Sequence, residues 1–146
     1  MFRKLYKQLH KRIRLLHNKG REPYLSLSKI LGFYPDNLQI YEQALLHKSS
    51  SVETGDGKWL NNERLEFLGD AVLEIISSDF LYKNYPQKPE GELTKLRASI
   101  VCEPTLALCT EAIHLGDYLY LGNGEDLTGG RKRKSILSDA LEAVIG

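Results

Sequence analysis

Five carboxylates stand in two short groups at spacings that matter chemically. In Asn62-Glu63-Arg64-Leu65-Glu66-Phe67-Leu68-Gly69-Asp70, the acids Glu63, Glu66 and Asp70 recur three and four residues apart. A helix turns about 100° per residue, so these three side chains fall within roughly 60° of one another on one face. Asp139 and Glu142, three apart, repeat the theme near the other end of the sequence. Apolar residues frame both groups, with Leu65, Leu68, Val72 and Ile76 around the first and Ile136, Leu137, Leu141 and Val144 around the second. Both helices are therefore expected to be largely buried, with their acids at the edge of a core. Two carboxylates about 4 Å apart repel by roughly 4 kcal/mol at an effective dielectric near 20. Divalent cations remove that conflict, and hard oxygen ligands with positions left for water suit Mg²⁺ or Mn²⁺. Taken alone, either group has a plainer reading as acids paired with Arg64 or Lys95. No Ser–His or Cys–His arrangement stands out, so no nucleophilic side chain is expected.

The elements that must carry these acids read as helices almost throughout. Phe2, Leu5, Leu9, Ile13 and Leu16 recur every three or four residues and predict an amphipathic helix over residues 1–22 with a basic outer face. That face is either solvated, with the apolar stripe docked on the domain, or in touch with nucleic-acid phosphates. An organelle presequence fits less well, because Lys is as frequent as Arg there and Ser is absent. Leu25 to Leu31 reads as a short helix closed by Gly32, and Asp36 or Asn37 can cap another through Ile40, Ala44 and Leu45. Ser49 to Lys58, polar and holding Gly55 and Gly57, is expected to be a loop. A long helix follows from about Leu60 to Tyr85, ended by Pro86. Glu90 to Val101 and Pro104 to His114 are helical, and Gly116 stops the second. Gly122 to Gly130 contains four glycines and reads as a loop. A last helix begins near Ser135. No strand-like alternation of useful length, internal repeat or low-complexity tract interrupts this all-α pattern. Residues 23–146 are expected to form one domain.

These residues carry a resemblance. Asn62 to Asp70 is similar to the signature of the ribonuclease III family, and Ser135 to Ala143 is similar to the second block of that family. Glu90 to Arg97, Gly129-Gly130-Arg131 and Ala44 to Ser49 also resemble family segments, although Leu46 stands where a threonine is usual. The likeness covers roughly residues 35 to 146 in order and spacing. It implies the ribonuclease III endonuclease-domain helical fold and an endoribonuclease that hydrolyses phosphodiester bonds in double-stranded RNA. The implied cofactor is Mg²⁺, with Mn²⁺ able to substitute, and the implied products carry a 5′-phosphate and a 3′-hydroxyl. RNA processing, such as maturation of ribosomal RNA precursors, is the setting that goes with it. By resemblance Glu66, Asp139 and Glu142 hold metal, while Asp70, Glu142 and Glu63 are catalytic. Glu90 and Glu125 support the site. Arg131, Lys132, Arg133 and Lys134 contact RNA, and Phe67 enters a socket on the partner of a homodimer, unless it is an ordinary core aromatic. The sequence stops four residues after Glu142, so the domain is expected to be truncated and to lack the double-stranded-RNA-binding domain usual in the family. Both losses are expected to weaken the isolated chain, the first in metal binding and the second in RNA affinity.

Composition limits what the charge can do. The 146 residues are 42% hydrophobic and 27% charged, which suits an ordinary globular domain. The net charge is only +1, so RNA affinity cannot come from bulk basicity. It must come from segregated charge: eight Lys or Arg lie between Arg3 and Arg21 without an acid, and Arg131 to Lys134 forms a second run. Duplex RNA is recognised largely through phosphates and 2′-hydroxyls, which suits local patches beside an acidic valley. No apolar run is long enough to span a bilayer, and no signal-peptide core follows Met1. Cys102 and Cys109 read as small buried hydrophobes, so a reduced, cytoplasmic protein is expected. His10, His17, His47 and His114 read as structural or solvated, with His47 capping a helix end. Trp59, Tyr118 and Tyr120 read as core or interface residues. A di-iron bundle is short of ligands, since only Glu111 and His114 have the required spacing. A silent RNA-binding relative is expected to lack metal-binding acids, whereas all five are present.

Overall fold

The computed structural model describes residues 22–146, and the chain divides into two units between Glu42 and Gln43. Residues 1–21 of the basic helix expected over residues 1–22 lie outside the described residues, as do His10 and His17.

In the first unit, helix α1 spans Glu22–Leu31 and buries Leu27 and Ser28. Gly32 follows with φ of +71°, the left-handed conformation that ends a helix at least cost when the residue has no side chain. Helix α2 covers Leu38–Ala44. Asn37 starts it, its side-chain oxygen accepting from the Gln39 amide at 3.1 Å, which is the capping expected from the sequence. Phe33 meets Tyr41 edge to face with ring centres 6.4 Å apart.

The second unit holds the acids. Helices α3 (Glu63–Asn84), α4 (Glu90–Ile100), α5 (Glu103–Ala112), α6 (Asn123–Leu127) and α7 (Lys134–Ile145) follow in order. Helix α7 is the centre of this packing, lying against α3 on one side and α5 on another. It is apolar on the buried side, where Ile136, Leu137, Ala140 and Ala143 join Leu81, Leu106, Ala107, Leu115 and Leu119 in the core. Thr110 on α5 is wholly buried, and its hydroxyl sits between the carbonyl oxygens of Leu106 at 2.8 Å and Leu137 at 2.9 Å. The hydroxyl thus ties α5 to α7 without leaving a polar group unsatisfied. Backbone bonds join three distant segments of this unit. The His47 amide donates to Tyr120, the Tyr120 amide to Leu45, and the Asn62 amide to Leu46.

Several expectations need correction. The stretch from Ser49 to Lys58 is not a plain loop: a 3₁₀ turn at Lys48–Ser50 leads into a ribbon in which β1 (Val52–Glu53) pairs antiparallel with β2 (Trp59–Leu60). Two-residue strands are too short to show alternation. Gly122 to Gly130 also contains more structure than expected, since α6 and a 3₁₀ turn at Gly130–Lys132 occupy much of it. The signature helix α3 is not largely buried in this chain, for only Gly69, Ser77 and Leu81 along it are enclosed. Cys109 is exposed and Cys102 half-buried, so neither behaves as a core hydrophobe. Trp59 is exposed on the ribbon. Among the described residues, no helix is long and apolar enough to cross a membrane.

Candidate metal centre

Helix α3 begins where Asn61 folds back on it. The Asn61 side-chain oxygen accepts from the Glu63 amide at 3.1 Å, and its amide group donates to the Glu63 carboxylate at 3.3 Å. From that start the helical repeat turns Glu63, Glu66 and Asp70 toward one side. Helix α7 supplies Asp139 and Glu142 from across the contact. Glu66, Asp139 and Glu142 each place a carboxylate oxygen within 4.8 Å of the others, and all three are half-buried.

The approach of the two helices depends on Gly69. A β-carbon at this position would collide with the carbonyl oxygen of Glu142, so the missing side chain is what lets the two backbones meet. Glycine in a helix interior costs about 1 kcal/mol relative to alanine. Close approach of another backbone is a physical reason for a long helix to carry one. A glycine between Glu66 and Asp70 is thus a sequence signal for the helix contact, beyond its place in the family signature.

The electrostatics follow from this crowding. Glu142 has its pKa pushed up to about 7, first by burial and then by the neighbouring charges of Asp70, Glu66 and Asp139. Burial likewise raises Glu66, helped by Asp139 and Glu63. Asp139 is raised by burial against the opposing pull of Lys48 and His47. Desolvation and like charge act in the same direction on an acid, and a bound cation relieves both. Hard carboxylate oxygens on two rigid helices fit a divalent ion of the Mg²⁺ or Mn²⁺ type.

Lys48 is the basic group at this edge, with Nζ 3.7 Å from Glu63. The 3₁₀ turn that holds it is capped by His47, whose Nδ1 accepts from the Ser49 amide at 3.2 Å and lies 2.8 Å from the Ser49 hydroxyl. His47 is buried, and that burial pulls its pKa below the ordinary value. The capping role expected for His47 is the one observed. Lys48 lies in the family-like segment Ala44 to Ser49, but its spacing from the acids in the sequence gives it no role beside them.

The remaining site residues are not drawn into the carboxylate trio. Glu90 opens α4 and accepts a hydrogen bond from the Thr94 hydroxyl at 2.8 Å. Glu125 on α6 forms an ion pair with Arg133. Arg131 donates to backbone carbonyls and to Asp126, whereas Lys132 and Lys134 are exposed. Phe67 is 80% exposed and so lies outside the core of this chain.

Comparison with known proteins gives the family. Residues 37–146 match the model of a family described as ribonuclease-III-like. A "Ribonuclease 3" from Natranaerobius thermophilus is 54% identical over 122 residues, covering 84% of this chain and 52% of that protein. One from Staphylococcus carnosus is 45% identical over 137 residues, covering 94% of this chain and 56% of the relative. The chain thus spans about half the length of these curated relatives. The crystal structure of the nuclease domain of ribonuclease III from Campylobacter jejuni superposes with a TM-score of 0.76 at 37% identity, covering 84% of this chain and 80% of that one. A second structure of that domain is described as showing structural flexibility in a region involved in dimer formation.

Proposed function

The chain belongs to the ribonuclease III family, and from that premise we propose that it is a divalent-metal-dependent endoribonuclease acting on double-stranded RNA. The observation that carries this reading is the convergence of Glu66, Asp139 and Glu142 from two helices into one half-buried carboxylate cluster. Those three side chains would hold the ions, with Mg²⁺ as the resident metal and Mn²⁺ able to replace it. When bound, such ions lower the pKa of coordinated water and stabilise charge on the phosphate oxygens.

The chain's own residues set the conditions for that chemistry. Glu63 and Asp70 flank the cluster from exposed positions on α3 and complete it directly or through water. Glu90 and Glu125 support it from outside. Hydrolysis of this kind leaves a 5′-phosphate and a 3′-hydroxyl and needs no covalent intermediate on the protein. The basic run Arg131 to Lys134 lies beside α7 and offers positive charge to an RNA backbone. One site reaches one strand, so cutting both strands calls for a two-fold homodimer with Phe67 at the interface. The physiological setting of the reading is cytoplasmic RNA processing, ribosomal precursors included.

The test is a cleavage assay on duplex RNA with Mg²⁺. Glu142→Ala is expected to lower cutting by more than about a hundredfold, beyond what loss of an outer-sphere partner of a metal costs. Dimer formation and much of the RNA binding should survive. Cutting by the variant at the parental rate removes Glu142 from the metal centre, and cutting undiminished by chelator removes the metal.

A further inference from the structure

The four cations of Arg131-Lys132-Arg133-Lys134 do not do the same thing. Nη1 of Arg131 donates to the carbonyl oxygens of Gly116 at 2.9 Å and Leu119 at 3.0 Å. Its Nε and Nη2 donate to the two carboxylate oxygens of Asp126 at 3.3 and 3.2 Å. Every nitrogen of that guanidinium therefore has a partner within the protein. Arg133 pairs with Glu125, the residue beside Asp126 on α6. Two adjacent acids thus meet two alternating arginines, and the pairs lace α6 to the segment that enters α7.

Local backbone geometry agrees. The 3₁₀ turn Gly130–Lys132 is entered through Gly129 at φ of +80°. Gly130 must lack a side chain because Glu125 fills the space a β-carbon would take. Arg133 then starts α7, its carbonyl accepting from the Leu137 amide at 3.0 Å. Lys132 and Lys134, between and after the arginines, are exposed, and no described residue forms a hydrogen bond or ion pair with either ammonium group.

We propose that this run is divided in function: Arg131, aided by Arg133, is a positioning residue that fixes the start of α7 and thereby Asp139 and Glu142, while Lys132 and Lys134 alone offer charge to RNA. The inference rests on the functional reading above and narrows it. Four of the five N–H groups of this guanidinium are engaged, which leaves a single one for a phosphate, and turning it outward would take a donor from the Leu119 carbonyl and the Asp126 carboxylate. A lysine cannot replace it, because a single ammonium group does not span both carbonyls and the carboxylate that the planar fork reaches.

The experiment uses Arg131→Lys, which keeps the charge, and the double variant Lys132→Ala/Lys134→Ala. Mn²⁺ uptake is titrated well below the melting transition from the loss of the free-ion electron paramagnetic resonance signal. Affinity for a short RNA duplex is measured against salt in a Glu142→Gln background, so that nothing is cut. Arg131→Lys should weaken Mn²⁺ binding by about tenfold, as loss of supporting interactions around a metal does, and leave the salt slope alone. The double variant should flatten the salt slope by about 2, one for each phosphate that is no longer neutralised, with Mn²⁺ uptake unchanged. Parental Mn²⁺ affinity in Arg131→Lys overturns the positioning role, even if that variant melts earlier. A parental salt slope in the lysine variant overturns the charge assignment. A parent chain that binds no duplex RNA sinks the functional reading and the lysine half with it, whereas the Mn²⁺ titration still decides Arg131. A parent that takes up no Mn²⁺ ends both.

Discussion

Among single side chains, Glu142 bears most of the electrostatic conflict in the site. Its carboxyl is raised to about 7, by burial first and then by three neighbouring acids, against an ordinary value of 4.5. The folded state therefore holds the proton more tightly than the unfolded state does between those two values. For an acid with a raised pKa, the metal-free protein loses stability as pH climbs from about 4.5 through about 7. A divalent ion competes for the same carboxylate, so its affinity should fall by about tenfold for each pH unit below 7. Thermal melts in chelator should accordingly drop between pH 5 and pH 8, and the stabilisation gained from Mn²⁺ should grow over the same window. Glu142→Gln should flatten both trends. A variant melting curve with the parental pH dependence would place the conflict on another residue.

The helices α3 and α7 matter as a pair, and Gly69 sets their separation. Gly69→Ala places a methyl group against the Glu142 carbonyl, where backbone has to move to admit it. Overpacking of that kind costs about 1–3 kcal/mol. It also moves Glu142 away from Glu66, so Mn²⁺ affinity should fall by more than the melting temperature alone suggests. Calorimetry together with an Mn²⁺ titration separates the two effects. A Gly69→Ala chain that binds Mn²⁺ like the parent would show that the helices can part without disturbing the acids. Much at this scale is legible in the sequence. The helices around Leu25 to Leu31, Leu38 to Ala44, Glu63 to Asn84 and Lys134 to Ile145 announce themselves through periodicity, the Asn37 cap and the Pro86 stop. The spacing of Glu63, Glu66 and Asp70 likewise points to a shared face. The ribbon at Val52–Glu53 and Trp59–Leu60 escapes such reading because its strands are held by turn geometry and show no alternation. Helix α6 escapes because Gly122, Gly124, Gly129 and Gly130 weigh toward a loop, while the Glu125 and Asp126 pairings that hold it are tertiary. The roles of Arg131 and Lys132 cannot be told apart by residue type, since only the fold decides which donors find carbonyls.

For the molecule, the outer side of α3 is a surface in search of a cover. Phe67, Ile75 and Tyr82 are 80%, 69% and 74% exposed, and Ile76 and Phe80 stand out beside them. The first three recur at intervals of eight and seven, close to whole turns, so they form one stripe along the helix. Contiguous apolar surface of this kind marks an interaction site. A two-fold axis across the stripe would cover it with its own copy. Phe67→Asp should therefore give a monomer in sedimentation experiments at concentrations where the parent is a dimer, with Mn²⁺ uptake per chain nearly intact. Unchanged sedimentation would move the interface elsewhere. The meeting of α3 with α7 has a further consequence for biosynthesis. Its ligands come from segments far apart along the chain, and contacts of long sequence separation close late in folding. No growing polypeptide that still lacks α7 can assemble the acid trio. A metal centre built on this trio can therefore exist only after α7 itself has been made, so the order of the chain sets the moment at which the site is born.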